Sequence, residues 1–213
     1  MSSPSFTMRF FWLAFTLTPV TASAQSGIEP GRFKSEILFT PNAKIEANDG
    51  HKIESGTLNG VAYRIYHADG SGSFAGKPGN VLSALEGGNW QTSCQKDSMD
   101  DTKYCDMKKG TLWLTVNPKS KRETDIVIGL DNFPGTNVGI RVDKLKAIYS
   151  VANGDGHFSN AQSLRIIEQL KKGETFITNY TEWPDRSIKE ATWETYGFNE
   201  CFQYITWAVE RIR

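Results

Sequence analysis

TLWLTV, residues 111–116, places a large apolar side chain at every second position. Alternation with a period of two is typical of a strand with one buried face. The side chains that the pattern assigns to the buried face are Leu112, Leu114 and Val116. Trp113 falls on the opposite face, where an uncovered indole ring would form a flat apolar platform for a sugar ring or a protein partner. A helix or loop that covers the ring is the alternative.

Segments on both sides of this strand show the same period. VAYRIYHA (61–68), TDIVIGL (124–130), GTNVGIRVDK (135–144) and AIYSV (147–151) are each predicted to contain a strand. In the second of these, the side chains predicted to point inward are Ile126, Ile128 and Leu130. The glycine-rich segment DGSGSFAGKPGN (69–80) instead predicts a loop.

The last third of the chain contains the patterns of two helices. Ser159 and Gln162 form a capping box, and helical spacing continues through Leu164, Ile167 and Leu170. After a strand at 175–183, the segment GFNECFQYITWAVERIR (197–213) predicts a terminal helix. Its apolar stripe is Phe198, Cys201, Phe202, Ile205, Val209 and Ile212. The predicted fold class is therefore α+β: an antiparallel, sandwich-like β-rich domain with two helices in the C-terminal third.

The N-terminus has the features of a signal peptide. Arg9 precedes the apolar run FFWLAFTLTPV, and small residues follow at Ala22-Ser23-Ala24. A membrane anchor is the alternative, but the run is about half as long as a bilayer span requires. We therefore predict a signal peptide at 1–24, no membrane span after its removal, and a periplasmic or secreted protein. Residues 25–89 are predicted to form an arm with one or two strands and a Gly-rich loop, and residues 90–213 the β-rich domain.

Two cysteines enclose a strongly polar segment, CQKDSMDDTKYC, from Cys94 to Cys105. An exported chain meets oxidising conditions, so we predict a disulfide, worth about 3 kcal/mol for so short a loop. A metal or redox pair is disfavoured because the spacing is not C-x-x-C and no histidine lies nearby. Cys201 is predicted to be a buried thiol, since no histidine is close enough in sequence to activate it.

Several motifs together resemble the invasion-associated locus B type of secreted bacterial proteins. They are NWQTSC (89–94), a second cysteine eleven positions later, VGIRVDK (138–144) and WETYGFNECFQYITWAV (193–209). The resemblance covers Trp90–Ile212, and the chain lacks the second cysteine pair that such proteins often carry. It implies a periplasmic or secreted protein with an accessory or host-interacting role and no catalytic residues to transfer.

Charge and motifs exclude several classes of function. The 24 basic and 24 acidic residues balance and intermix, which argues against a nucleic-acid partner. G-x-S-x-G and H-E-x-x-H are absent from the sequence. NGDGHF (153–158) brings Asp155 next to His157, as a base with its orienting acid, as two ligands, or as the polar tip of a turn. We predict no cofactor, no metal and no catalytic residue.

The favoured function is therefore an exported, non-catalytic binding protein of the bacterial envelope or secreted fraction, with a protein or glycan partner. The surfaces predicted to bind are around Trp113 and Arg141, and around Asp155 and His157. One alternative is a secreted hydrolase of envelope polymer that uses the aspartate and histidine of NGDGHF. The other is an inhibitor of a lytic enzyme that inserts the loop between Cys94 and Cys105.

Overall fold

The computed structural model describes residues 33, 37–48, 50–80, 82, 88–120, 123–150 and 156–213. The predicted signal peptide lies outside the described residues. The described elements are, in chain order, β1 (Lys44–Asn48), β2 (His51–Leu58), β3 (Val61–Tyr66), β4 (Ser71–Phe74), β5 (Trp90–Lys96), β6 (Lys103–Lys109), β7 (Leu112–Val116), β8 (Thr124–Ile128), β9 (Gly139–Val142), β10 (Ile148–Tyr149), α1 (Asn160–Leu170), β11 (Thr175–Glu182), β12 (Ser187–Glu194) and α2 (Phe198–Val209).

The strands form two antiparallel sheets. The larger sheet contains β1 to β8 in chain order, each paired with its neighbours in sequence, and the smaller sheet has the order β10-β9-β11-β12. Helix α2 packs against β5 and β6, while α1 packs against β8 and β9. The predicted α+β, sandwich-like class with two helices in the C-terminal third is confirmed. Within the described part of the chain, no helix is long and apolar enough to cross a membrane.

The predicted inward faces form the core. The alternate residues of β7 are buried as expected, and so are Val138, Ile140 and Val142 around β9. Ser159 caps α1 through the predicted box with Gln162. Leu164 of α1 is half exposed, however, and Ile166 takes its place in the core. Cys201 is a fully buried free thiol on α2.

Residues 25–89 contribute more structure than predicted. They form four strands, β1 to β4, where one or two were expected, and β4 pairs with β5 so that the sheet continues across residue 89. The glycine-rich segment was misread because Gly72 lies within β4. A Cβ there would meet the Arg64 carbonyl at 3.0 Å, so the glycine serves close packing between strands and not a loop.

Leu130 does not point inward. Strand β8 ends at Ile128, and Gly129 then turns the chain with a positive φ of 68°. This turn breaks the period of two, and Leu130 emerges 70% exposed.

The predicted disulfide joins Cys94 and Cys105, which lie directly opposite each other on β5 and β6. Both cysteines are buried on the core face, and the strands continue beyond them to Lys96 and from Lys103. The turn that the bridge supports is therefore shorter than the predicted loop.

Candidate binding cleft

A cleft with a volume of about 500 Å³ opens where the β11–β12 hairpin passes the end of the larger sheet. One wall is the outer face of β5 to β7, around Trp113. The other wall is the inner face of the hairpin, and the turn at Gly110 and the loop at residues 129–131 lie between them. The cleft therefore combines segments from three separate parts of the chain.

Trp113 forms the centre of the first wall. It lies half-buried on the outer face of β7, opposite Lys108 of β6 and Val127 of β8. The Lys108 ammonium nitrogen lies 4.7 Å from the centroid of the Trp113 ring, within cation–π range. Gln91 of β5 is the next residue in the same cross-strand row. This wall thus offers an aromatic face with a cation and an amide beside it.

The second wall is a continuation of the core. Phe176 at the start of β11 is buried and stacks on Trp90 with ring centroids 6.0 Å apart. Tyr180 and Glu182 follow on the same face of β11 at steps of two, and Trp193 of β12 lies directly opposite Phe176. Because the hairpin extends past the end of the larger sheet, its inner face leaves the core and lines the cleft.

Two glycines let the rings of this wall approach the backbone closely. A Cβ on Gly110 would come within 2.2 Å of the Trp193 indole, and a Cβ on Gly129 would lie 2.8 Å from the Tyr180 ring. Both glycines also have a positive φ, which other residues rarely adopt. The Trp193 ring therefore packs directly on Gly110 and the Tyr180 ring on Gly129, and a larger residue at either glycine would displace the ring.

Lys109 lies behind the first wall and is only 2% exposed. Its ammonium donates hydrogen bonds to the carbonyl oxygens of Gly76, at 3.0 Å, and Glu194, at 2.7 Å. Burial lowers the pKa of Lys109 to about 8. Lys109 was not predicted as a site residue, although a signal was present: Cys105, Met107 and Lys109 alternate along β6 on the face that proves to be buried.

The second wall carries the Glu182 carboxylate, which forms an ion pair, and the Tyr180 phenol. The Lys189 ammonium lies 2.9 Å from a Glu182 carboxylate oxygen and holds the pKa of Glu182 below its usual value. Burial raises the pKa of the Tyr180 phenol, so that it stays protonated at neutral pH. The Trp193 indole nitrogen has no hydrogen-bond partner among the described residues. Asp131 adds a carboxylate at the loop.

The other predicted binding residues lie elsewhere. Arg141 is exposed on β9, beside Ile177 of β11, and does not line the cleft. Asp155 lies outside the described residues. His157 forms a β-bridge with Val127, and its Nδ1 lies 2.7 Å from a carboxylate oxygen of Asp125. The described acid partner of His157 is therefore Asp125, 32 residues away in sequence.

His157 is near the cleft without lining it. Trp113, Val127 and His157 are successive neighbours across the outer face of the larger sheet, so two strand spacings, about 10 Å, separate the histidine from the tryptophan. No group of three or more histidine, cysteine, aspartate or glutamate residues in the described part of the chain is arranged to hold a metal ion. The disulfide-supported turn lies at the other end of β5 and β6 from the cleft.

No protein-family model matches this chain, and neither a curated protein nor a solved structure matches it.

Proposed function

We propose that the chain is an exported, non-catalytic binding protein of the bacterial envelope or secreted fraction, and that its cleft binds a saccharide. The observation that carries the proposal is the arrangement of three aromatic rings, Trp113, Tyr180 and Trp193, around one cleft of about 500 Å³. That volume is typical of pockets for small ligands. It suits one or two sugar rings of a longer glycan.

The chemistry of the lining fits a saccharide. A pyranose ring has an apolar face of C–H groups and a rim of hydroxyls, so it needs an aromatic platform with hydrogen-bonding groups at its edge. Trp113 supplies the platform, because its ring is half-exposed on a sheet face that fixes its orientation. Gln91, Asp131 and Glu182 supply amide and carboxylate oxygens that accept hydrogen bonds from hydroxyls.

Export is supported by the disulfide and by the predicted signal peptide. Disulfides persist outside the cytoplasm, and the Cys94–Cys105 bridge closes within the core of the larger sheet. The resemblance to the invasion-associated locus B type of proteins agrees with a periplasmic or secreted location.

Calorimetry on hits from a glycan array tests the proposal. The wild-type protein is expected to bind at least one saccharide, and Trp113→Ala is expected to weaken that binding about fivefold or more, since one stacked ring contributes about 1 kcal/mol or more. Trp183→Ala is the matched control, because Trp183 is 54% exposed and packs on Phe133 outside the cleft. Absence of binding across the array, or equal loss in both variants, would contradict the proposal.

A second candidate is hydrolysis of an envelope polymer, favoured by the contact between His157 and Asp125. A carboxylate oxygen 2.7 Å from an imidazole nitrogen orients the ring, as an acid does for a histidine that acts as a general base. Clearing on a peptidoglycan zymogram that disappears in His157→Ala would establish this activity. Clearing that persists in the variant, or no clearing by the wild type, would rule it out.

A further inference from the structure

We infer that the saccharide bound by the cleft is acidic: its ring stacks on Trp113 while its carboxylate or phosphate pairs with the Lys108 ammonium. This inference rests on the proposed function and adds the charge of the ligand to it. It depends on how charge is distributed between the two walls of the cleft.

Lys108 is a cation without a carboxylate partner in the described part of the chain. Its side chain is exposed, and its recorded contact is with the Trp113 ring. Asp106 lies two residues away on the same face of β6, but Lys108 does not neutralise it. The Thr115 hydroxyl donates a hydrogen bond to Asp106 at 2.5 Å, and burial raises the pKa of Asp106. The positive charge of Lys108 therefore lies over the Trp113 ring.

Lys109 adds positive charge behind the same wall. With a pKa of about 8 it is mostly protonated at neutral pH, and the groups that it contacts are carbonyl oxygens. Lys109 also lies 5.3 Å from the centroid of the Trp90 ring, and the negative charge of Glu194 acts on it, but the Glu194 carboxylate is shared with Lys77 at 3.2 Å and offsets the positive charge of Lys109 only in part. The platform side of the cleft thus has two adjacent cations.

The opposite wall does not compensate for this charge. The Glu182 carboxylate is already paired with Lys189 at 2.9 Å. Asp131 lines the same cleft from the loop at residues 129–131 and is not a member of the strand row that contains Lys108 and Trp113. An anionic group of the ligand would therefore meet attraction at the platform, and its hydroxyls would face the carboxylates of the other wall.

The geometry also places the anion close to the ring. Lys108 and Trp113 are direct cross-strand neighbours, whose Cβ atoms lie about 5 Å apart. A neutral sugar that stacks on Trp113 must displace the ammonium from the indole face. An acidic sugar retains the ammonium at its edge and replaces the cation–π contact by a charge-assisted hydrogen bond, which is the stronger interaction.

Calorimetry with matched oligosaccharides tests the inference. The probes are oligomers of galacturonate and mannuronate, their methyl esters, which keep the rings and remove the charge, and a phosphorylated oligosaccharide. We expect the wild type to bind one of the acids about fivefold to tenfold more tightly than its ester, as one partly screened charge-assisted hydrogen bond implies. A preference for the phosphorylated sugar over its dephosphorylated form supports the inference equally and identifies phosphate as the anion.

Variants of Lys108 supply the second readout. Lys108→Gln is expected to remove the preference for the acid over the ester, and Lys108→Arg to retain it. Lys119→Gln, an exposed lysine on the β7–β8 loop outside the cleft, is the control and should leave it unchanged. The preference of the wild type should also weaken between about 50 and about 500 mM salt, because the contact is exposed.

The outcomes separate this inference from the proposed function. Equal binding of acid and ester, binding of neutral sugars alone, or an unchanged preference in Lys108→Gln would overturn the inference and leave saccharide binding intact. If no sugar of either kind binds, both fail.

Discussion

The Glu54 carboxylate and the cleft beside Trp113 are two places where polar groups meet aromatic rings, and they differ in how those groups are satisfied. Glu54 is fully buried and accepts hydrogen bonds from the backbone nitrogens of Phe39 and Thr40 and from the Tyr63 hydroxyl, while His67 Nε2 lies 2.9 Å away. In the cleft, by contrast, the Lys108 ammonium lies over the Trp113 ring, and the buried Trp193 N–H has no hydrogen-bond partner among the described residues.

The aromatic rings differ in the same way. Phe39, which the Glu54 carboxylate holds in place, makes edge or tilted contacts with the rings of Tyr63, Phe74, Tyr204 and Trp207. The rings of Tyr63, Phe74 and Tyr204 are fully buried, and Phe39 and Trp207 pack against the core, whereas Trp113 lies on the outer face of the sheet and lines the cleft. The first cluster stabilises the fold, while the second is the surface at which we propose that a ligand binds.

Glu54→Gln is expected to give the largest loss of stability. An amide nitrogen in place of an oxygen would face hydrogen-bond donors, and removal of one partner from a buried charged cluster costs about 3–5 kcal/mol. Chemical denaturation measures the loss. Glu46→Gln on the exposed strand β1 is the control, expected to change the free energy of unfolding by less than about 0.5 kcal/mol. A similar small change in both variants would contradict the assigned role of Glu54.

The same cluster predicts acid sensitivity. Burial opposes ionisation, but the hydrogen bonds from His67, Phe39, Thr40 and Tyr63 outweigh it and lower the pKa of Glu54 below 4.5. A lowered pKa in the fold means that the contribution of Glu54 is present above pH 4.5 and is lost as the pH falls through the folded value. The free energy of unfolding of Glu54→Gln should therefore depend less on pH in this acid range than that of the wild type.

Removal of the disulfide ranks next. The double variant Cys94→Ala/Cys105→Ala is expected to lose about 3 kcal/mol, because the bridge restricts the unfolded chain. Thermal or chemical denaturation under oxidising conditions measures this difference. Added reductant should lower the stability of the wild type and leave the variant unchanged, and a wild type indifferent to reductant would argue against the bridge.

Lys109→Met is expected to cost about 2 kcal/mol, because the carbonyl oxygens of Gly76 and Glu194 lose their shared donor. The wild type should show a further signature in alkali. Since the pKa of Lys109 falls from 10.5 to about 8 on folding, the unfolded chain binds more protons between these values, and stability gains a contribution that rises with pH. Measurement between about pH 8 and 10 should show that Lys109→Met lacks this rise.

Trp113→Ala should have the smallest effect on stability, less than about 1 kcal/mol, because one side of the ring is already open. Trp90→Ala, which removes a fully buried ring, is the comparison and should cost about 3–5 kcal/mol. If the two tryptophan variants were equally destabilised, the platform would be part of the core and the contrast between the two regions would fail.

The sequence predicted those parts of the fold that depend on local pattern. The alternation in β7 and β9 and the capping box of α1 each involve neighbouring residues, so their signals are visible without the tertiary structure. Strand β1 was not predicted because all five of its residues are exposed, so that the short alternation of Ile45 and Ala47 does not mark a buried face. Strand β4 was obscured because its close packing requires Gly72.

The cleft was predictable only in part. The period of two placed Trp113 on the outer face, but nothing local indicates that Trp193, 80 residues later, lies on Gly110. The pairing of His157 with Asp125 was equally hidden, since strand register and not sequence distance brings the two residues together. Sites assembled from separate segments require the topology before their members can be recognised.

The most direct test of the central claim is a titration followed through the indole N–H signals of the tryptophans by heteronuclear NMR. On addition of the best-binding oligosaccharide, the account predicts that the signals of Trp113 and Trp193 shift together in a saturable way, while that of Trp183 stays in place. Saturable shifts confined to Trp183 or Trp207, with Trp113 unmoved, would contradict it.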